Sequence, residues 1–292
     1  MNGKRKESVK SFMIFCAPTI LIFSTVVLIP FIFGIYLTFT SWNGISGGYT
    51  FAGVSNYLSI INDHEFWDSI LMTLEYVIFT VLFTNVIAFF LAYLLTTRVH
   101  GQNILRASFF TPNIVGGIIL GIIWNFIFST VLTYVGNSAG IEILQNSWLG
   151  KPETAFWALV LVSVWQYSGY MMVIYIAGLM NVPKDMLEAA SVDGANEVKK
   201  LFRIVIPLVV PSFIICVFLT LQRAFMVYDL NMSLTKGGPF GSTKMVSMFV
   251  YEKAFLSQQF GVGQSAAIFL FVIVAIVTVT QLYFSKKLEV EA

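Results

Sequence analysis

Charge is what this chain has least of. Asp, Glu, Lys and Arg make up 11% of its 292 residues, against roughly 25% in an ordinary soluble domain. Hydrophobic residues supply 57%, and the mean hydropathy is +0.81. A soluble fold of this length cannot hide so much apolar surface in one core, because burial saturates as domains grow. Lipid is therefore the expected solvent. The net charge is only +2 and no Arg/Lys block of the nucleic-acid-binding kind is present, which argues against a nucleic-acid partner. Cysteine is scarce as well: Cys16 and Cys216 both lie in apolar runs, where they read as small core residues rather than a disulfide or a metal site. His64 and His100 have no matching metal ligands around them and read as solvated loop residues. With no long internal repeat and no low-complexity tail, residues 1–292 read as one domain.

Long apolar runs are what the chain does have. A bilayer needs about 20 apolar residues per helix, and six stretches qualify: Phe12–Phe39, Ile70–Leu95, Ala107–Tyr134, Ala155–Met180, Ile204–Val227 and Val262–Phe284. Only Glu75 in the second and Arg223 in the fifth interrupt them with charge. The first run exceeds the 7–15 apolar residues, roughly, of a signal peptide, and no A-x-A site follows it, so it is expected to stay in the mature protein. The fold class is thus all-α integral membrane with six transmembrane helices.

Orientation follows from the basic residues. With the N-terminus inside, the inner segments carry Lys4, Arg5, Lys6, Lys10, Arg98, Arg106, Lys184, Lys199, Lys200, Arg203, Lys286 and Lys287. The outer segments carry Lys151, Lys236, Lys244 and Lys253. Twelve against four, with acidic residues split evenly at seven each, is the specifically basic bias the rule requires. Both termini are expected in the cytoplasm. The outer loops (41–68, 135–153 and 228–261) are rich in Gly, Ser and Asn, with room for short surface helices.

The inner segment 181–203 is more than a connector. Pro183 suits a helix start and Gly194 a left-handed stop about ten residues later. Met186, Ala189 and Ala190 share one face, and beyond the glycine Val198, Leu201, Phe202 and Val205 repeat at helical spacing. This predicts two helices with a turn between them, beneath the membrane, the first with a small Ala-rich face open to close approach. The residues alone are equally compatible with an interfacial helix that has no partner.

Glu188-Ala189-Ala190 with Gly194 beyond them, then Ile204-x-x-Pro207, resembles the EAA loop of permease subunits of ATP-binding-cassette (ABC) importers. The longer string E-A-A-x-x-D-G-A-x(6)-F-x-I-x-x-P-x-x-x-P resembles the carbohydrate branch, the MalF-like group. Phe51-x-Gly53-x-x-Asn56-Tyr57, Val115-Gly116-Gly117 with Trp124, and Thr235-x-Gly237-Gly238-Pro239 agree with it. The likeness covers the chain from about residue 50 onward. Relative to the maltose permease itself, extra N-terminal helices and a large inserted outer domain are missing. The resemblance implies the type I ABC importer permease fold with a cytoplasmic coupling helix. It implies that Glu188, Ala189, Ala190, Asp193, Gly194, Ala195 and Phe202 meet a cytoplasmic ABC ATPase dimer. In that reading Glu188 pairs with a basic groove residue and Gly194 makes the sharp turn. No cofactor is expected on this chain, ATP and magnesium being used by the partner ATPase. Gly238-Pro-Phe-Gly241-Ser-Thr-Lys244 lacks the phosphate-loop spacing G-x-x-x-x-G-K-[ST] and falls in an outer loop.

A sugar needs hydrogen-bond partners and a flat apolar face. Trp124 and Asn125 in the third span, Gln166 and Tyr167 (with Trp165 and Tyr170) in the fourth, and Thr220, Gln222 and Arg223 in the fifth are the candidates. The resemblance places those helices around the path. Interfacial aromatics and interhelix polar contacts are the competing explanations. A charge within a span costs about 2.5–3.5 kcal/mol, so Arg223 needs a reason. It would clamp an acidic sugar, or pair structurally with Asp229 or Glu75, or reach for the outer surface; the structural pair is preferred.

The function expected is that of a permease subunit of an ATP-driven importer for a sugar or oligosaccharide, working by alternating access in the bacterial cytoplasmic membrane. Its expected partners are a second homologous permease, the ATPase dimer and an extracytoplasmic solute-binding protein. A self-sufficient secondary transporter is the rival, which would normally show internal repeats and broken helices at the midplane. A membrane-embedded enzyme is disfavoured, since no carboxylate pair, Ser/His/Asp set or metal cluster sits within the spans.

Overall fold

The computed structural model describes residues 12–45, 47–97 and 101–287. Lys4, Arg5, Lys6, Lys10, Arg98 and His100 lie outside the described residues, as does the side chain of Lys286. Among the described residues six helices are long and apolar enough to cross a membrane: α1 (Phe12–Leu37), α3 (His64–Thr96), α5 (Gly117–Ala139), α6 (Pro152–Met180), α8 (Glu197–Phe225) and α11 (Phe260–Lys286). Between them lie α2 (Ser55–Ile61), α4 (Gln102–Ile114), α7 (Lys184–Val192), α9 (Asp229–Leu234) and α10 (Val246–Tyr251). The described residues contain no strand, only an isolated bridge between Thr40 and Phe51.

The six spans expected from hydropathy are therefore present, with one correction. The third run, Ala107–Tyr134, is not one helix. Its first third belongs to α4, which ends at Ile114, and α5 begins only at Gly117. Val115 and Gly116 between them are extended (φ −76°, ψ 127° and φ −63°, ψ 146°). Val, Gly and Ile keep hydropathy high across the break, so composition cannot reveal it.

The chain groups into two compact units, Met1–Phe66 with Phe249–Phe269, and Trp67–Met248 with Leu270–Ala292. In the first, Asn56 knits the segment after α1: its Nδ2 donates to the carbonyls of Thr38 and Thr40 at 2.7 and 2.8 Å, and Tyr57 OH donates to Thr38 Oγ1 at 3.0 Å. The Phe66 ring packs against Phe249 and Phe269.

In the second unit α6 is the central element. In its most apolar window 72% of residues are buried within the chain, against 11–33% for the other spans. Lipid solvates Leu or Ile as well as a neighbouring helix does, so close packing and polar contacts are what join helices. A Cβ on Gly169 of α6 would lie 1.8 Å from the Phe109 carbonyl oxygen, so only glycine lets α4 approach this closely. One buried cluster gathers Tyr76, Phe128, Leu159 and Phe225; another gathers Met171, Tyr175, Val209 and Cys216. Tyr175 OH donates to Asn85 Oδ1 at 2.7 Å, tying α6 to α3.

Candidate functional site

Two interruptions meet at one place. The first is the extended Val115–Gly116 pair; the second follows Phe225, where Met226 and Tyr228 leave helical geometry before α9 starts at Asp229. Backbone groups freed inside an apolar region need partners. Gln166 Nε2 supplies one, donating to the Val115 carbonyl at 3.1 Å. Asn125 Nδ2 donates to the Leu234 carbonyl at 2.7 Å, and Ser233 Oγ, which donates to the Asp229 carbonyl at 2.6 Å, lies 3.2 Å from the Gly117 carbonyl, so α9 lies along α5. α9 was expected as part of a surface loop, yet Leu230, Asn231 and Leu234 are fully buried.

Between the interruptions opens a cleft of about 610 Å³, lined by residues 113–117 and 226–230 together with Gln166, Tyr167, Gln222 and Arg223. Arg223 is its only basic side chain. Its Nη1 donates to Asn113 Oδ1 at 2.5 Å. Its guanidinium carbon lies 4.8 Å from the Tyr170 ring centroid and 5.5 Å from that of Tyr167, distances at which a cation is attracted to a ring face. The expected pairing with Asp229 or Glu75 does not occur among the described residues; an amide and two ring faces hold the charge instead. A guanidinium has five N–H donors, so most remain for a solute.

Of the seven path candidates, the structure brings Gln166, Tyr167, Gln222 and Arg223 together. It places the other three elsewhere. Trp124 packs against Phe128 and Trp165 in an apolar groove. Asn125 is occupied by α9, and Thr220 is fully buried, donating to the Cys216 carbonyl at 2.7 Å. Asn113 was missed by sequence reasoning. Its signal was a polar side chain directly after Pro112 and two residues before Val115-Gly116-Gly117.

The loop 181–203 forms the two helical segments its pattern predicts. Pro183, extended, precedes α7, and Gly194 ends it with φ +77°. Asp193, Gly194 and Ala195 donate their N–H groups back to Ala189, Ser191 and Ala190. The Asn196 side chain then accepts from the Lys199 N–H at 2.8 Å, capping the start of α8. No α7 residue is buried: Glu188 and Ala189 are exposed, and Ala190 and Ala195 are half-exposed. Met186, Val198 and Phe202 are exposed as well. Phe202 lies in a π-helical turn, Leu201–Val205.

The cleft pairs donors, acceptors and ring faces, and the loop offers a small-residue surface. Neither holds a nucleophile with an adjacent base, and no metal-binding cluster is found among the described residues. Residues 84–290 match the family described as binding-protein-dependent transport system inner membrane component. The chain belongs to that family. It is 42% identical over 280 residues to a probable starch degradation products transport system permease protein, AmyD, of Thermoanaerobacterium thermosulfurigenes, covering 96% of this chain and 95% of that one. A multiple sugar-binding transport system permease protein, MsmF, of Streptococcus mutans is 31% identical over 89% of this chain and 90% of its own. In structure the permease resembles a chain of a bacterial ABC transporter that imports the acidic polysaccharide alginate, with a TM-score of 0.81 over 97% of this chain and 99% of that one. At 18% identity that likeness shows the shared fold. The permease is a multi-pass membrane subunit of an ABC importer, and it is not itself an enzyme.

Proposed function

We propose that the permease forms, with a second homologous permease, the path for a neutral sugar or short gluco-oligosaccharide, and that the Arg223 cleft is where this chain contacts the solute. The Arg223–Asn113 pair flanked by Tyr167 and Tyr170 carries the reading: it offers fixed donors beside ring faces, the combination a polyol needs. The 42% identity with the starch-product permease supports the sugar class. Both termini and the loop 181–203 face the cytoplasm. There the exposed Glu188-Ala189-Ala190 face, Asp193, Gly194, Ala195 and Phe202 meet a cytoplasmic ATPase dimer, which uses ATP and magnesium; this chain binds neither. An extracytoplasmic binding protein delivers the solute. Binding and hydrolysis of ATP shift the assembly between inward- and outward-open states through their differential affinity for the two. The test is uptake of radiolabelled maltose into proteoliposomes holding all partners. Uptake that needs ATP, and falls in Arg223→Gln at unchanged assembly, is expected. Wild-type uptake by Arg223→Gln would overturn the role given to the cleft.

A further inference from the structure

A second polar cleft, of about 300 Å³, opens in the unit formed by Met1–Phe66 and Phe249–Phe269, and it shares no residue with the Arg223 cleft. Trp42, Ser59, Asp63, Lys253, Gln258 and Gln259 are among its walls. Lys253 Nζ donates to Asp63 Oδ2 at 2.8 Å, both side chains being about three-quarters covered (22% and 25% exposed). The other carboxylate oxygen, Oδ1, accepts from the Glu65 N–H at 3.0 Å and caps the start of α3. The carboxylate is thus committed to structure. An ammonium has three donors, and Lys253 spends one on Asp63.

Gln258 closes the helical turn Glu252–Leu256, the N–H groups of Ser257 and Gln259 on either side of it donating back to the Glu252 and Lys253 carbonyls at 2.7 and 2.8 Å. Its φ is +54°, a left-handed conformation that costs a side-chain-bearing residue free energy and that glycine adopts without strain. The chain nevertheless keeps a long amide there, at the lip of the cleft. Among the described residues, neither the Gln258 nor the Gln259 side-chain amide makes a hydrogen bond. Residues held in sparsely populated backbone conformations cluster at active sites and ligand clamps. Trp42, also in the lining, supplies an indole, packed edge-on to Phe260 with ring centroids 5.0 Å apart.

We propose that this cleft is a second saccharide site, holding one sugar ring with its C–H face on Trp42 and its hydroxyls on Lys253, Gln258 and Gln259. The inference rests on the sugar-importer reading above. The volume lies at the lower end of the roughly 300–1,000 Å³ of small-molecule sites, enough to hold one ring of a saccharide. The lining carries one cation and one anion, already paired, so a charged ligand would meet a like charge whatever its sign. A neutral polyol meets neither penalty.

Equilibrium binding of radiolabelled maltose to the complete transporter in lipid nanodiscs, without binding protein, tests the site. Wild type is expected to show two classes of bound maltose. Gln258→Gly, which removes the amide while relieving the backbone, should weaken one class roughly 3- to 10-fold, the worth of a lost hydrogen bond or two. Trp42→Ala should weaken the same class, and Arg223→Gln the other. Binding in Gln258→Gly and Trp42→Ala that matches wild type would overturn the second site. Maltose uptake by wild type with all partners present is measured alongside. Normal uptake with unchanged binding in Gln258→Gly sinks this site alone, whereas absent uptake sinks the sugar reading and this site with it.

Discussion

Arg223 and Asn113, 110 residues apart in sequence, are joined by a 2.5 Å hydrogen bond between the last turn of α8 and the last turn of α4. Both helices stop within three residues of that bond, so it fixes the two chain ends that frame the cleft. A hydrogen bond to a charged group is worth about 1.5–3 kcal/mol. Asn113→Ala and Arg223→Gln should therefore each lower thermal stability, and the double variant should lose that much less than the sum of the two. Arg223→Lys keeps the charge without the planar fork and is expected to recover uptake only in part. Additive losses in the thermal melts would show that the two residues do not act as a pair.

In the loop, Glu188→Lys reverses the charge on the exposed face of α7, and Gly194→Trp forces a bulky residue to φ +77°, at a cost of roughly 1–2 kcal/mol. Both variants should reach the membrane and lose solute-stimulated ATP hydrolysis. Stimulation at the wild-type level in Glu188→Lys would remove the coupling role from that residue.

Gly169→Val should fail differently. Its side chain would enter the space of the Phe109 carbonyl, and overpacking costs about 1–3 kcal/mol even where neighbours yield. The expected outcome is less folded protein extracted from membranes, measured by size-exclusion chromatography, with Gly169→Ala milder than Gly169→Val.

Burial pushes the Asp63 carboxyl upward, but the hydrogen bond and charge of Lys253, with the backbone N–H groups of Glu65 and Phe66, outweigh it and leave the pKa below the ordinary carboxylate value. A depressed folded-state pKa contributes stability that is fully present above the unfolded value, about 3.9. It is lost as pH falls through the folded value. Asp63→Asn should thus lower the melting temperature at pH 7 and narrow the gap to wild type as pH drops below about 4. A gap that stays constant across that window would contradict the assignment.

Topology has its own test. In a background with Cys16 and Cys216 replaced, single cysteines at Asn146 and Gly241 should react with an impermeant reagent from outside. A cysteine at Asn196 should react only after the membrane is opened. Labelling of residue 196 in intact cells would reverse the orientation inferred from twelve inner and four outer basic residues.

The spans were legible because lipid imposes one simple demand, about 20 apolar residues, and six runs meet it. The helical segments of the inner loop were legible because Pro183 and Gly194 act locally on the backbone. What composition hides is geometry within an apolar run. Val115 and Gly116 are as hydrophobic as a helix requires, yet they run extended because Gln166, 51 residues onward, accepts the task of pairing the freed carbonyl. The same tertiary dependence decided the path candidates. Thr220 and Arg223 lie one turn apart on α8, and only the second opens onto the cleft. Asn125 reads as a solute ligand until α9 is folded against it, and α9 carries no apolar run long enough to announce itself.

The contrast between α6, covered on most sides, and α1, covered almost nowhere, carries a consequence for drift. Where α1 meets hydrocarbon, exchange among Ile, Val, Leu and Phe leaves the surroundings unchanged, because lipid receives each equally well. Those positions can be respelled generation after generation in any apolar alphabet, whereas Gly34, where a Cβ would lie 2.6 Å from the Gln264 amide nitrogen, cannot. α6 has no such licence: Gly169 meets a carbonyl, Tyr175 an amide and Gln166 a broken backbone. Lineages of this chain should diverge fastest at their first helix and slowest at their fourth crossing.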